Sequence, residues 1–386
     1  MRFDLVVVGG GVVGASIARA ARGLSVALVS GVRPASGLPP DGAFDGRVYA
    51  LSPGSVSFLR EIRAWEAIPA ERLMPVHSMR VRGDGDAGSI TFDAYEAGVA
   101  ELAWIVEERV VLEALWRALL SQDGLEILAP ARFAALVLGN PSLVTLADGR
   151  TVEAGLVVGA DGAGSFVRSA AGIAARETPY GQTAVIANFA CEHPHGNVAF
   201  QWFKGGPILA LLPLPGNRVS MVWSVPPGRA AELMALDREA LGREVSTASE
   251  ATLGRLEPLC APQAFPLRRI TADRMVLPGL ALAGDAAHVV HPLAGQGLNL
   301  GLQDAQSLGR ILVGRTPVRG PGDIALLRQY ERERSEDILA MRATVHGLHS
   351  LFGADSPVAR MMRSTGLNFA DRIPVLKNAL LRHALH

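Results

Sequence analysis

The chain has 386 residues, 49% of them hydrophobic and 19% charged, enough for two domains and a large buried core. Basic and acidic residues balance at 37 each, so no net positive charge recommends nucleic acid as a partner. Two cysteines, Cys191 and Cys260, stand far apart in no metal-binding spacing, which speaks against a disulfide framework or a structural zinc.

The opening stretch, MRFDLVVVGGGVVGASIARAA, has the look of a signal peptide, but Asp4 interrupts the charged-then-apolar order and the glycines have another use. FDLVVVGG predicts a strand, VVGASIARAAR a helix and SVALVS a second strand, which makes a parallel βαβ unit. SPGSVSFLREIRAWEAI follows as turn and helix. Residues 76–93 predict short strands with a hairpin signal, and EERVVLEALWRALLSQ a helix. LVTLADGRTVEAGLVVGADG reads as two strands around an Asp-Gly turn that feed a third. From 178 to 226 the segments TAVIANFAC, GNVAFQWFKG, PILALLPLPG and RVSMVWSVPP predict an antiparallel sheet. A helix is expected near 229–254, then a buried strand in MVLPGLALAGD, a glycine-rich helix, and terminal helices near 322–351 and 356–386. No run reaches the roughly 18–20 apolar residues that span a bilayer, so a cytoplasmic protein is expected. The pattern is α/β: one nucleotide-binding domain assembled from distant segments, with a mixed-sheet domain inserted.

Three glycine-bearing segments carry the chemistry. In GGGVVG, Gly9, Gly11 and Gly14 fit the spacing that permits a tight turn, a close approach of pyrophosphate and close helix–strand packing. An acid is expected about twenty residues on, at the second strand end, to bind a ribose. Ser30 stands there, and with Arg33 it leaves open a 2′-phosphate site and hence an NADP domain. The second segment, LVVGADGAGSFVR, ends a buried strand in Asp161 and Gly162, with Arg168 following. An Asp-Gly pair is also an ordinary turn. The third is LALAGDAAHVVHPLAGQGLNLGLQD. Asp285 there closes an apolar strand, where a ribose or ribityl hydroxyl would satisfy its carboxylate. Gly295 and Gly297 keep the following helix terminus bare, so its amides and dipole can stabilise negative charge. His288 and His291 have catalytic and structural readings, the structural one being the commoner for such histidines.

Taken in order, these segments resemble the flavoprotein monooxygenases of the para-hydroxybenzoate hydroxylase fold. HPLAGQGLNLGLQDA is similar to the signature of the ubiquinone-biosynthesis hydroxylases, and GRVYALS, AFQWFKGGPILALLPLP, VSMVWS and PVLKNALLRHAL extend the likeness over nearly the whole chain. The resemblance implies an FAD-binding domain from 1–75, 101–176 and 269–320, a substrate domain from 76–100 and 177–268, and C-terminal helices over 321–386. It implies a cofactor set of Gly9, Gly11, Gly14, Ser30, Arg47, Glu108, Asp161, Gly162, Gly284, Asp285, Pro292, Gly295, Gly297, Leu298 and Asn299. Pro292, Gly295 and Gln296 would stand against the reacting face. The implied reaction is hydroxylation of an electron-rich aromatic ring through a flavin C4a-hydroperoxide, with NAD(P)H or another donor binding transiently and O2 as co-substrate. Two positions depart from the family pattern: Ser30 replaces a glutamate, and Glu108 stands where Asn or Gln is usual.

Gln201, Phe203, Pro207, Leu212 and Trp223 are the candidate lining of the substrate pocket, and their apolar character suits a polyprenyl phenol. Residues 356–386 set Arg360, Arg363, Arg372, Lys377 and Arg382 among Met361, Leu376, Leu380 and Leu385, a pattern that fits peripheral membrane contact, an acidic partner or a solvated terminal helix. Two competing functions remain at this point. One is a soluble NAD(P)H-dependent hydroxylase of a small aromatic compound; the other is a non-catalytic scaffold of the biosynthetic complex. No general base can be named.

Overall fold

A computed structural model describes residues 1–35, 37, 43–83, 89–290, 296–316, 318–336 and 338. In chain order the elements are β1 (Arg2–Val8), α1 (Val12–Ala20), β2 (Val26–Val29), β3 (Val48–Leu51), α2 (Pro53–Glu61), β4 (Met74–Val76), β5 (Ser78–Arg82), β6 (Ser89–Asp93), α3 (Ala94–Ala97), β7 (Ala103–Glu107), α4 (Glu108–Leu120) and β8 (Leu125–Leu128). There follow β9 (Phe133–Val137), β10 (Ser142–Leu146), β11 (Thr151–Gly159), α5 (Phe166–Ala170), β12 (Ala175–Cys191), β13 (Val198–Phe203), β14 (Ile208–Leu214), β15 (Arg218–Val225), α6 (Pro227–Ala235) and α7 (Arg238–Ala248). The described part closes with β16 (Leu256–Pro258), β17 (Gln263–Ala272), β18 (Val276–Leu277), β19 (Leu280–Leu282), β20 (His288–Val289), α8 (Gln296–Val313) and α9 over 324–336.

Strands β19, β11, β1, β2 and β8 run parallel, in that order, as the centre of the first sheet. Their unbroken apolar runs are what a sheet covered on both faces requires. Leu5–Val7, Val26–Leu28, Leu156–Val158 and Leu280–Leu282 are wholly buried. Helix α1 packs on α4 and α8 over this sheet. Local chemistry sets the helix ends: Ser52 caps α2 by accepting from the Ser55 amide, and Pro53 supplies the preset φ of a first helical residue.

The second sheet has the order β20-β17-β12-β15-β14-β13-β5-β6. It is mixed, because β13 and β5 pair in parallel while the hairpin strands pair antiparallel. A small sheet, β3-β7-β4, lies between the two large ones, and β14 packs against it.

Two expectations change. The segment 151–159 is one strand and not two, because Gly155 does not turn the chain. An added Cβ there would come within 3.0 Å of the Asp4 carbonyl oxygen and of Pro321, so the glycine serves a close approach. The helix expected near 229–254 is two, since Asp237 leaves helical geometry and caps α7 through the Ala240 amide.

Gly301 explains part of the glycine content of α8. A Cβ at this position would lie 2.5 Å from Val13 Cγ2, where α1 and α8 touch. Gly301→Ala is expected to cost about 1–3 kcal/mol by overpacking. Gly297→Ala, whose methyl meets nothing within 4 Å, is the control. Equal denaturation midpoints for the two variants would refute the close contact.

Candidate functional site

The carboxyl ends of β1, β2, β11 and β19 lie side by side, and the loops that leave them carry all three glycine segments and Ser30. Crevices at such strand ends are where open α/β sheets bind ligands. Gly9 adopts φ +117°, and an added Cβ would lie 2.2 Å from the Ala160 carbonyl oxygen. A Cβ on Gly14 would lie 1.9 Å from the Gly9 carbonyl oxygen. Both are constrained by protein. Gly11 is different: it is the N-cap of α1, and a Cβ there meets nothing within 4 Å. No side chain caps α1 and no acid stands in its first turn, so its amides face open space with a partial positive charge. The Trp116 indole donates to the Gly10 carbonyl at 2.9 Å and holds the loop in this shape.

A cluster of charged and phenolic groups marks the neighbouring wall. Arg47 Nε lies 3.2 Å from Glu108 Oε2, and its guanidinium sits 5.7 Å from the Tyr49 ring centre. Tyr49 lies close enough to Arg47, Glu108 and Asp285 to interact with all three electrostatically. Asp285 is exposed to solvent in the loop after β19. Desolvation there raises its carboxyl above the ordinary range, against the opposing pull of His288 and Arg47. It has no hydrogen-bond partner among the described residues, which suits an acceptor awaiting a hydroxyl. Desolvation raises the Tyr49 phenol as well, so it stays protonated and available as a donor.

Several expected cofactor residues also help hold the frame. Ser30 is buried and its hydroxyl donates to the Val32 carbonyl at 2.7 Å, packed so close to Gly10 that a Cβ there would meet the Ser30 Oγ at 2.4 Å. That hydroxyl is committed to its own loop. Arg33 likewise donates from Nε to the Ala129 carbonyl. Ser165 caps α5 by accepting from the Arg168 amide, and the Asp161 carboxylate braces that turn by accepting from the Ser165 hydroxyl and the Val167 amide; Gly162 beside it takes φ +84°. Arg168 donates to the carbonyls of Ala286 and Ala163, tying the second glycine segment to the third. The Asn299 side chain is fully engaged: it accepts from the Ser52 amide and Ser55 hydroxyl and donates to the Ala50 carbonyl. It joins α8 to the end of β3, the strand that carries Tyr49. Gly284 adopts φ +57° and donates its amide to Asp304 at 2.8 Å. Gly297 and Leu298 open α8, with free space at the Gly297 Cα. Pro292, Gly295 and His291, and the side chain of Gln296, lie outside the described residues.

The substrate candidates divide between two faces of the mixed sheet. Cross-strand partners share a face, and alternate residues do too. Gln201 pairs with Ala210, so Gln201, Phe203 and Leu212 lie on one side. Leu212 there packs with Ala199 and Leu214 against Val48, Ala50 and Met74 of the small sheet. Trp223 pairs with Leu209, which pairs with Trp202, and all three are buried in the opposite core under α6. Trp223 is therefore set apart from the proposed lining by register alone. Pro207 stands just before β14, where its carbonyl accepts from the Lys204 amide. On the first face, Asn188 donates to the carbonyls of Phe44 and Asp45, which anchors the segment leading to Arg47.

Three residues of the site carry no expectation from the sequence: Tyr49, Asn188 and Asp304. Tyr49 lies inside the GRVYALS segment, and its place two residues after Arg47 on a strand is the signal that both face one side. Asp304 is wholly buried. It receives the Gly284 amide, His288 Nε2 at 2.7 Å and Arg334 Nε at 2.7 Å, which makes His288 part of a frame-holding network.

The family described as FAD binding domain matches residues 2–343. The chain is similar to the 3-demethoxyubiquinol 3-hydroxylase of Escherichia coli, 35% identical over 99% of this chain and 98% of that protein. It is 36% identical to the ubiquinone hydroxylase UbiL of Rhodospirillum rubrum, over 99% and 89% of the two chains. Among solved structures, Pseudomonas aeruginosa PqsL in complex with 2-aminobenzoylacetate superposes with a TM-score of 0.80, covering 96% of this chain and all of that one at 23% identity, which establishes a shared fold.

Proposed function

Since the chain belongs to the family of FAD-dependent hydroxylases of ubiquinone biosynthesis, we propose that it inserts one oxygen atom into the ring of a hydrophobic polyprenyl phenol. The observation that carries the cofactor assignment is the bare glycine cleft at the strand ends, flanked by Arg47 and by an Asp285 carboxylate without a hydrogen-bond partner among the described residues. The residues fit FAD. Gly9, Gly11 and the start of α1 would receive the diphosphate, Asp285 would accept from a ribityl or ribose hydroxyl, and Arg47 would balance negative charge. Bound FAD, reduced by NAD(P)H or another donor, supplies the activation of O2.

The chain's own residues orient, neutralise charge and exclude water. The first turn of α8 presents backbone amides and the positive end of its dipole, which favours developing negative charge nearby. Pro292, Gly295 and Gln296 are proposed to line the reacting face, as the resemblance implies. Gln201, Phe203, Pro207 and Leu212 are proposed to line the substrate side. The aliphatic residues on that sheet face, Leu212 with Ala199 and Leu214, support a hydrophobic phenol over a small aromatic acid, whose carboxylate would need a buried cation.

We further propose that the protein works in the cytoplasm at the surface of the inner membrane, where a polyprenyl chain resides. Among the described residues no helix is long and apolar enough to cross a membrane. The basic stretch 356–386, which carries the membrane-contact reading, lies outside the described residues.

The deciding experiment is an absorbance spectrum of the purified protein, with and without added FAD, after gel filtration. A retained flavin band is expected. No band even with excess FAD would overturn the hydroxylase reading and bring forward a scaffold role.

A further inference from the structure

We propose that Glu108 competes with bound FAD for Arg47, so that this one carboxylate limits how tightly the chain holds its cofactor. The proposal rests on the FAD reading above and assigns Glu108 a positioning role within it. The distances set the competition: Arg47 Nε is already 3.2 Å from Glu108 Oε2. The Arg47 side chain is 57% exposed and Glu108 31%, so the pair sits at the cleft mouth and not in the core.

The surrounding charges make the conflict sharper. Asp285 and Asp45 also act on Arg47, so three carboxylates address one guanidinium. The neighbouring acid, Glu107, is engaged elsewhere, with the Asp45 amide and with Arg72 at 3.1 Å. Arg109 donates to the Gly37 carbonyl. Neither neighbour relieves Glu108. A diphosphate carries two negative charges and recruits arginine in the same bidentate manner as a carboxylate does. When it arrives, Arg47 must turn from Glu108 or be shared, and Glu108 is left facing added negative charge.

The test is a double-mutant cycle on FAD affinity, read by quenching of flavin fluorescence in the full-length apoprotein. Glu108→Gln keeps the size and an acceptor atom but removes the charge. It is expected to tighten FAD about fivefold, the scale of a partly exposed charge pair, and the gain should shrink in high salt. In an Arg47→Ala background the gain should be clearly smaller, because the contested partner is gone and only repulsion between Glu108 and the diphosphate remains. Unchanged binding by Glu108→Gln would overturn the proposal, and weaker binding would overturn it by making Glu108 a ligand of the cofactor. An equal gain in both backgrounds would also overturn it, since Glu108 would then act by repulsion without Arg47. Failure of wild type and Glu108→Gln alike to bind FAD would instead remove the FAD reading itself.

Discussion

Gly11→Val is expected to lower FAD affinity by at least about 100-fold while leaving the apoprotein folded. The position has φ −71° and ψ −178°, extended geometry that valine adopts without strain. No atom lies within 4 Å of an added Cβ, so the fold has no reason to object. The space is empty of protein because it is the approach to the α1 amides. Two methyl groups there would hold a diphosphate beyond hydrogen-bond reach and remove its stabilisation by the helix terminus. Gly14→Val provides the contrast. Its Cβ would overlap the Gly9 carbonyl oxygen, with only 1.9 Å between them, so that variant should fail to fold. Thermal melts of the apoproteins and FAD titrations separate the two outcomes. Retention of FAD by Gly11→Val at wild-type affinity would show that the diphosphate binds elsewhere.

Asp304→Ala is expected to destabilise the protein by about 3–5 kcal/mol at neutral pH, the usual result of removing one partner from a buried ion pair. The substitution would leave the Arg334 guanidinium buried without its carboxylate, and the Gly284 amide without an acceptor. Gly284 precedes Asp285, so FAD retention should fall along with stability. Burial alone would raise the Asp304 carboxyl, but His288 and Arg334 outweigh that and hold it below the usual carboxylate value. A carboxyl depressed in the fold contributes its full stability above the unfolded value of about 3.9 and loses it as acid protonates the folded form. The gap between wild type and variant should therefore be widest near neutrality and close in acid. Urea denaturation at neutral and acidic pH measures both, and a gap that widens in acid would contradict the assigned charge state.

The two experiments probe different layers of the site. Gly11 tests a surface that touches a ligand, whereas Asp304 tests the bracing behind it. Asp304 joins α8, α9 and the loop after β19, three segments that meet only in the folded chain. Asn299 does the same for α8 and the β3–α2 junction, far apart in sequence, by accepting from Ser52 and Ser55 and donating to the Ala50 carbonyl. Bracing of this kind is what holds ligand-binding groups within the narrow tolerances that a preorganised site demands.

The glycine segments were legible because their chemistry is local. A strand, a turn that needs positive φ or a bare Cα, and a helix start occur within a dozen residues, and Gly9, Gly11 and Gly14 satisfy them together. The parallel order of the core strands follows from the same βαβ logic, and so does the meeting of the three segments at one edge. Ser30, Asp161 and Asn299 resisted reading because a side chain's partner depends on a rotamer chosen by its packed surroundings. In the fold each has a hydrogen-bond partner within the protein. Trp223 was indistinguishable from Leu212 by composition, yet β14–β15 register sends one to the helix-backed core and the other toward the small sheet. The sequence by itself determined the strand–glycine–helix units and the residues able to meet a dinucleotide. Only the tertiary structure decided which of them face the cleft, because register and long-range hydrogen bonds are settled by packing between segments far apart in the chain.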